Sequence, residues 1–190
     1  MKLFLTSKVF ANKVATQKLR ENLKLNIANA KILFIPTALG DEFPYDRYFD
    51  ELIEFGFKNE NIIIFNEKEA EKYINLDIDV IYISGGNTFT LVKLIKECSF
   101  DKEIRKYIES GIPCICRSAG THLMTKNTEH VLSFDENQVG LTDFNAMGIF
   151  DGIIFCHYDE NREKFYKNAL EENKYNVYKI TDEDIIIIDN

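Results

Sequence analysis

Pro113-Cys-Ile-Cys-Arg-Ser-Ala-Gly-Thr-His122 is the stretch whose reading decides the fold. It opens as a short apolar strand, and a helix-compatible segment, residues 121–126, follows. Between them stands Ser118, flanked by the small residues Ala119 and Gly120. Strand, tight turn and helix in that order are the setting of a nucleophile elbow, where a strained turn lifts a serine hydroxyl clear of the sheet. The backbone passes close to itself there, so small neighbours are required, and the N-terminus of the following helix adds free N–H groups and a positive dipole end. The usual spacing is G-x-S-x-G, and Cys116 occupies the first glycine position. Its Cβ is expected to crowd the turn. The plainer alternative is that Ser118 only caps the helix behind it.

Outward from this stretch, apolar runs at residues 2–6, 31–36, 61–65, 80–84 and 113–116 are rich in Ile, Val and Phe. Nearly continuous apolarity is how strands covered on both faces of a parallel sheet read. Between them, residues 12–29, 45–55, 88–97 and 101–110 have helical periodicity, and the last of these ends at Gly111, a good C-cap, with Pro113 close behind. The alternation predicts an α/β fold, a doubly wound, mostly parallel sheet with helices on both faces. The C-terminal third is less regular: strands are expected at 150–156 and 185–188, a helix at 161–173, and a hairpin or loops over 123–145. No repeat or linker interrupts the 190 residues, so a single domain spanning 1–190 is expected.

Hydrophobic residues make up 45% of the chain, enough for a substantial core. The formal net charge of -8 supplies no basic field for phosphates, which argues against nucleic acid as a partner. No apolar run approaches the roughly 18 residues of a membrane span, and Met1–Leu5 does not read as a secretory leader. With no C-x-x-C pair among Cys98, Cys114, Cys116 and Cys156, reduced buried thiols and a cytoplasmic protein are expected. The three histidines have no zinc-ligand spacing, and no metal or cofactor is expected. Nothing excludes a homodimer.

Two further motifs bear on chemistry. Ser84-Gly-Gly-Asn-Thr88 follows the strand at 80–84, where loops at the carboxyl ends of strands line the crevice of an open α/β sheet. The N–H groups of Gly86 and Ala119 are candidate donors to an oxyanion; an ordinary turn before a helix is equally consistent with the motif. His157 follows an apolar run and is well placed as a general base. His122 is the rival, although four residues beyond Ser118 its side chain is expected to run along the helix. His130 lies in a polar segment and is expected to be exposed. A Ser–His pair needs a carboxylate, and Asp182-Glu183-Asp184 is the acidic stretch downstream.

Together, Ile35-Pro-Thr-Ala38, Ser84-Gly-Gly-Asn-Thr88, Ser118-Ala-Gly120, His157-Tyr158 and Asp182-Glu183 resemble the peptidase E and cyanophycinase family of serine peptidases, over nearly the whole chain. The resemblance implies a fold like class I glutamine amidotransferases, with Ser118 as nucleophile, His157 as base, Glu183 as the acid with Asp182 as fallback, and Gly86 and Ala119 as the oxyanion hole. It also implies a small peptide substrate, an Asp-X dipeptide in the peptidase E branch, cleaved through an acyl-enzyme. That branch needs a cation for the Asp side chain. Arg162, in Asn161-Arg-Glu163, resembles its arginine, and Arg117 is a second candidate; Asn87 is grouped with these as substrate-binding. The chain is shorter than typical members in the segments that build substrate loops. The alternatives are a related amide hydrolase of different specificity, or a catalytically idle binding or regulatory protein that keeps the fold.

Overall fold

Residues 1–40 and 45–189 are described by a computed structural model. A six-stranded sheet forms its centre, in the order β3 (Ile62–Ile64), β2 (Ile32–Ile35), β4 (Val80–Ile83), β5 (Cys114–Arg117), β1 (Lys2–Thr6) and β8 (Ile185–Asp189). All pairings are parallel except β1 with β8, which is antiparallel. In β2, Leu33 and Ile35 enter one core while Ile32 and Phe34 enter the other, which is why the run is apolar at every position. Helices α1 (Lys13–Asn22) and α2 (Asp46–Phe55) close one face through Leu19, Leu52 and Phe55. Helices α3 (Thr88–Glu97), α4 (Phe100–Glu109) and α5 (Ala119–Met124) close the other through Leu91, Ile104 and Leu123. This is the doubly wound α/β arrangement expected.

Three local expectations need correction. The first helix stops at Asn22, because Leu23 turns extended (φ −83°, ψ 91°), and Leu25 and Ile27 pack onto the core from a turn. The strand expected over 150–156 is only β6 (Ile153–Phe155). At Gly152 (φ +153°) a Cβ would lie 2.5 Å from the Asn176 carbonyl, so the chain enters the strand only by way of a glycine. β6 pairs in parallel with the unforeseen β7 (Val177–Lys179), forming a separate two-stranded sheet. Of the hairpin or loops expected over 123–145, loops form among the described residues, with a 3-10 turn at Glu129–Ser133 and a single bridge between Asn127 and Asn145. The helix expected at 161–173 is α6 (Glu163–Glu172), entered through a 3-10 turn at Glu160–Arg162.

Candidate active site

Ser118 follows β5 directly, in the middle of the sheet between β4 and β1. Its backbone has φ +49° and ψ −106°, a conformation that L side chains rarely adopt. Such a residue costs of order 1–3 kcal/mol and persists only where its surroundings over-determine it. Here they do. Ser118 N–H donates to the Thr6 carbonyl at 2.8 Å. Thr121 Oγ1 accepts from Thr6 N–H at 3.0 Å and shares its one hydrogen between the Thr6 and Cys116 carbonyls, at 2.8 Å and 3.1 Å, so α5 is bonded to the ends of β1 and β5. Close approach is achieved at Gly120, where a Cβ would lie 2.5 Å from the Ile83 carbonyl. Cys116, expected to crowd the turn, is a regular strand residue with its side chain in the core, its Sγ 3.6 Å from that of Cys114. The tight point is one turn later.

The imidazole of His157 reaches Ser118, with Nε2 3.0 Å from Oγ. Nδ1 is 2.6 Å from Asp182 Oδ1. A parallel register brings these residues together: Phe155 pairs with Lys179, and beyond the strands Tyr158 N–H donates to the Ile180 carbonyl. The residues two or three positions past each strand, His157 and Asp182, then face one another. Glu183 is corrected on this point. It is exposed, its carboxylate makes no contact with His157, and its backbone carbonyl accepts from Lys18 Nζ at 2.8 Å. Asp182 Oδ2 is 3.1 Å from Lys8 Nζ. Burial alone would raise the Asp182 carboxyl, but the hydrogen bonds and charges of His157 and Lys8 outweigh it and hold the group below the usual carboxylate range.

The glycine pair runs alongside the serine: a Cβ on Gly85 would sit 3.3 Å from Ser118 Cβ. Gly86 (φ +140°) lies tight against Ala38, whose carbonyl accepts Asn87 N–H at 2.7 Å. The N–H groups of Gly86 and Ala119 have no acceptor among the described residues. Serine, imidazole, carboxylate and two uncommitted N–H donors on adjoining loops are the groups that acyl transfer requires.

The remaining candidates separate. Asn87 is occupied: Oδ1 caps α3 at Thr90 N–H, and Nδ2 donates to the Glu136 carbonyl. Arg117 turns to the α2 face, where it is buried, pairs with Glu51 at 2.6 Å and lies over the Tyr48 ring. Neither is free to read a substrate. Arg162 is bonded to the residue before His157: Nη1 donates to the Cys156 carbonyl at 2.7 Å and the guanidinium stacks on Phe134 at 4.1 Å. The other N–H groups of the guanidinium have no acceptor among the described residues.

His122 is buried with Nδ1 3.0 Å from Thr88 Oγ1. His130 is not exposed as expected. Its ring packs on Phe155 and against His122, and Nε2 lies 3.0 Å from the Ile154 carbonyl, to which it donates. Burial pushes it down to about 4, the Ile154 carbonyl offsetting part of the effect and Arg162 adding to it. Sequence reasoning missed Thr6, Ser7, Lys8 and Thr121, which support the site without belonging to any recognisable motif.

Comparison with known proteins is decisive on the family. The sequence model of Peptidase family S51 matches residues 3–190. The chain belongs to family S51. It is therefore a serine-type peptidase with a glutamine amidotransferase-like fold. This S51 member is 30% identical over 172 residues, 86% of its own length and 84% of the relative's, to the Uncharacterized peptidase Lmo0363 of Listeria monocytogenes. It is 32% identical over 103 residues to the Probable alpha-aspartyl dipeptidase of Drosophila melanogaster, a match covering 53% of this chain and 42% of the other. Among solved structures, a protein from Listeria monocytogenes EGD-e provisionally described as Peptidase E superposes with a TM-score of 0.79 at 25% identity, over 98% of this chain and 93% of that one.

Proposed function

We propose that this S51 peptidase hydrolyses short peptides through an acyl-enzyme on Ser118, with His157 as general base and Asp182 as the acid. The observation that carries this is the unbroken path from Oγ to Nε2 (3.0 Å) and from Nδ1 to the carboxylate (2.6 Å). In this reading His157 takes the Oγ proton as the serine attacks the scissile carbonyl. The Gly86 and Ala119 N–H groups meet the oxygen as it becomes an oxyanion, where preorganised donors contribute most. The imidazolium then protonates the leaving amine, and water repeats the cycle to release the acid product. Asp182 keeps Nδ1 protonated and stabilises the imidazolium, roles whose loss leaves the geometry intact but the tautomer wrong.

The substrate proposed is a dipeptide with an N-terminal Asp, its side-chain carboxylate read by the uncommitted N–H groups of Arg162. A planar guanidinium already stacked on Phe134 loses little freedom on binding a carboxylate. The name of the Drosophila relative is in keeping with this class. The test is a panel of Asp-X, Glu-X and Ala-X dipeptides against wild type and Arg162→Met. The reading expects Asp-X to be cleaved fastest and Arg162→Met to raise KM for Asp-X while leaving Ala-X unchanged. Equal rates across the panel would remove the substrate assignment and leave the peptidase assignment standing.

A further inference from the structure

Three consecutive residues at the end of β1 each hold a different member of the proposed relay. The Thr6 carbonyl accepts Ser118 N–H at 2.8 Å. Ser7 Oγ accepts His157 N–H at 2.8 Å and lies 3.2 Å from the Ile180 carbonyl, to which it donates. Lys8 Nζ lies 3.1 Å from Asp182 Oδ2. The serine, the histidine and the carboxylate come from three separate parts of the chain, and Thr6-Ser7-Lys8 contacts all three. The His157 backbone is itself in a rarely adopted conformation (φ +51°), which needs an external hold of this kind. A carboxylate held at one oxygen alone can rotate out of line with the imidazole. Lys8 removes that freedom by taking the other oxygen.

We infer that Ser7 and Lys8 are positioning residues of hydrolysis, Ser7 fixing the His157 backbone and Lys8 fixing the Asp182 carboxylate. The inference rests on the relay proposed above. The Lys8–Asp182 pair is about 40% exposed (side chains 43% and 36%), which limits the loss in kcat on removing Lys8 to about two- to fivefold.

The experiment compares wild type with Lys8→Met, Lys8→Arg and Ser7→Ala, measuring kcat and KM on an Asp-X dipeptide and the rate of labelling by a fluorophosphonate serine probe. Lys8→Met is expected to lower kcat and the labelling rate with KM unchanged, and Lys8→Arg to restore both. Ser7→Ala is expected to lower kcat about tenfold with KM unchanged, since it alters only the seat of the ring. A wild-type protein inert to both probe and peptide would sink the relay and these roles together. An active wild type whose Lys8→Met and Ser7→Ala variants match it in kcat and labelling rate would overturn the positioning roles alone.

Discussion

Asp182 and Glu183 are neighbours of nearly identical chemistry, and the family resemblance favoured the second. What separates them is the register of β6 with β7, in which Phe155 faces Lys179 and His157 consequently faces Asp182. That register was not legible, because β7 is a short, half-exposed strand with no apolar run to announce it. The serine and histidine were legible, since each follows a recognisable buried strand. Asp182→Asn is expected to lower kcat by about 10⁴-fold with the fold intact, the loss typical when the imidazole is left in the wrong tautomer. Glu183→Gln should stay within about twofold of wild type, as its exposed side chain does not contact His157. Steady-state kinetics of the two variants distinguishes them, and the reverse order would return the acid to Glu183.

At the scale of elements, the elbow depends on how closely α5 can approach the end of β4. The sequence showed that a tight turn had to form around Ser118 but misplaced its tightest point. Position 116 looked crowded from the G-x-S-x-G spacing alone; in three dimensions its side chain lies in the core with Cys114 and Cys156, all three buried and outside any disulfide. The steric limit is at Gly120, against a backbone carbonyl that cannot rotate away. Gly120→Ala is therefore expected to lose about 1–3 kcal/mol of stability, together with most of its activity, because α5 and the Ala119 N–H must both shift. Cys116→Gly, by contrast, should lose stability through the emptied core volume and keep Ser118 reactive. Urea denaturation and probe labelling of both variants provide the check, and a fully stable, fully reactive Gly120→Ala would show that α5 does not pack as described.

For the molecule as a whole, strand and helix alternation settled the sheet and its two covers, since doubly covered parallel strands leave a strong apolar signature. The C-terminal third was harder to read because its order depends on long-range pairing rather than local pattern: β8 returns antiparallel along β1, and the loops over 123–145 fold around buried histidines. Those histidines set the pH behaviour of the fold. Burial holds His122 well below its usual range and His130 at about 4, whereas in the unfolded chain both take up a proton near pH 6.5. Between these values the unfolded state binds more protons, so stability falls as pH drops from about 6.5 toward 4. The urea midpoint is expected to decline through that window, and His130→Phe should flatten the decline. An unchanged midpoint down to pH 4.5 would show that the histidines are not buried neutral.

The central claim is that Ser118, seated at the elbow and bonded to His157, is a nucleophile. Treatment of the wild-type protein with a fluorophosphonate probe, followed by peptide mass spectrometry, tests it directly. The account predicts one adduct per chain, on the peptide containing Ser118, with no labelling in Ser118→Ala or His157→Ala and both variants folded by circular dichroism. An adduct on a different serine, or equal labelling of wild type and Ser118→Ala, would contradict it.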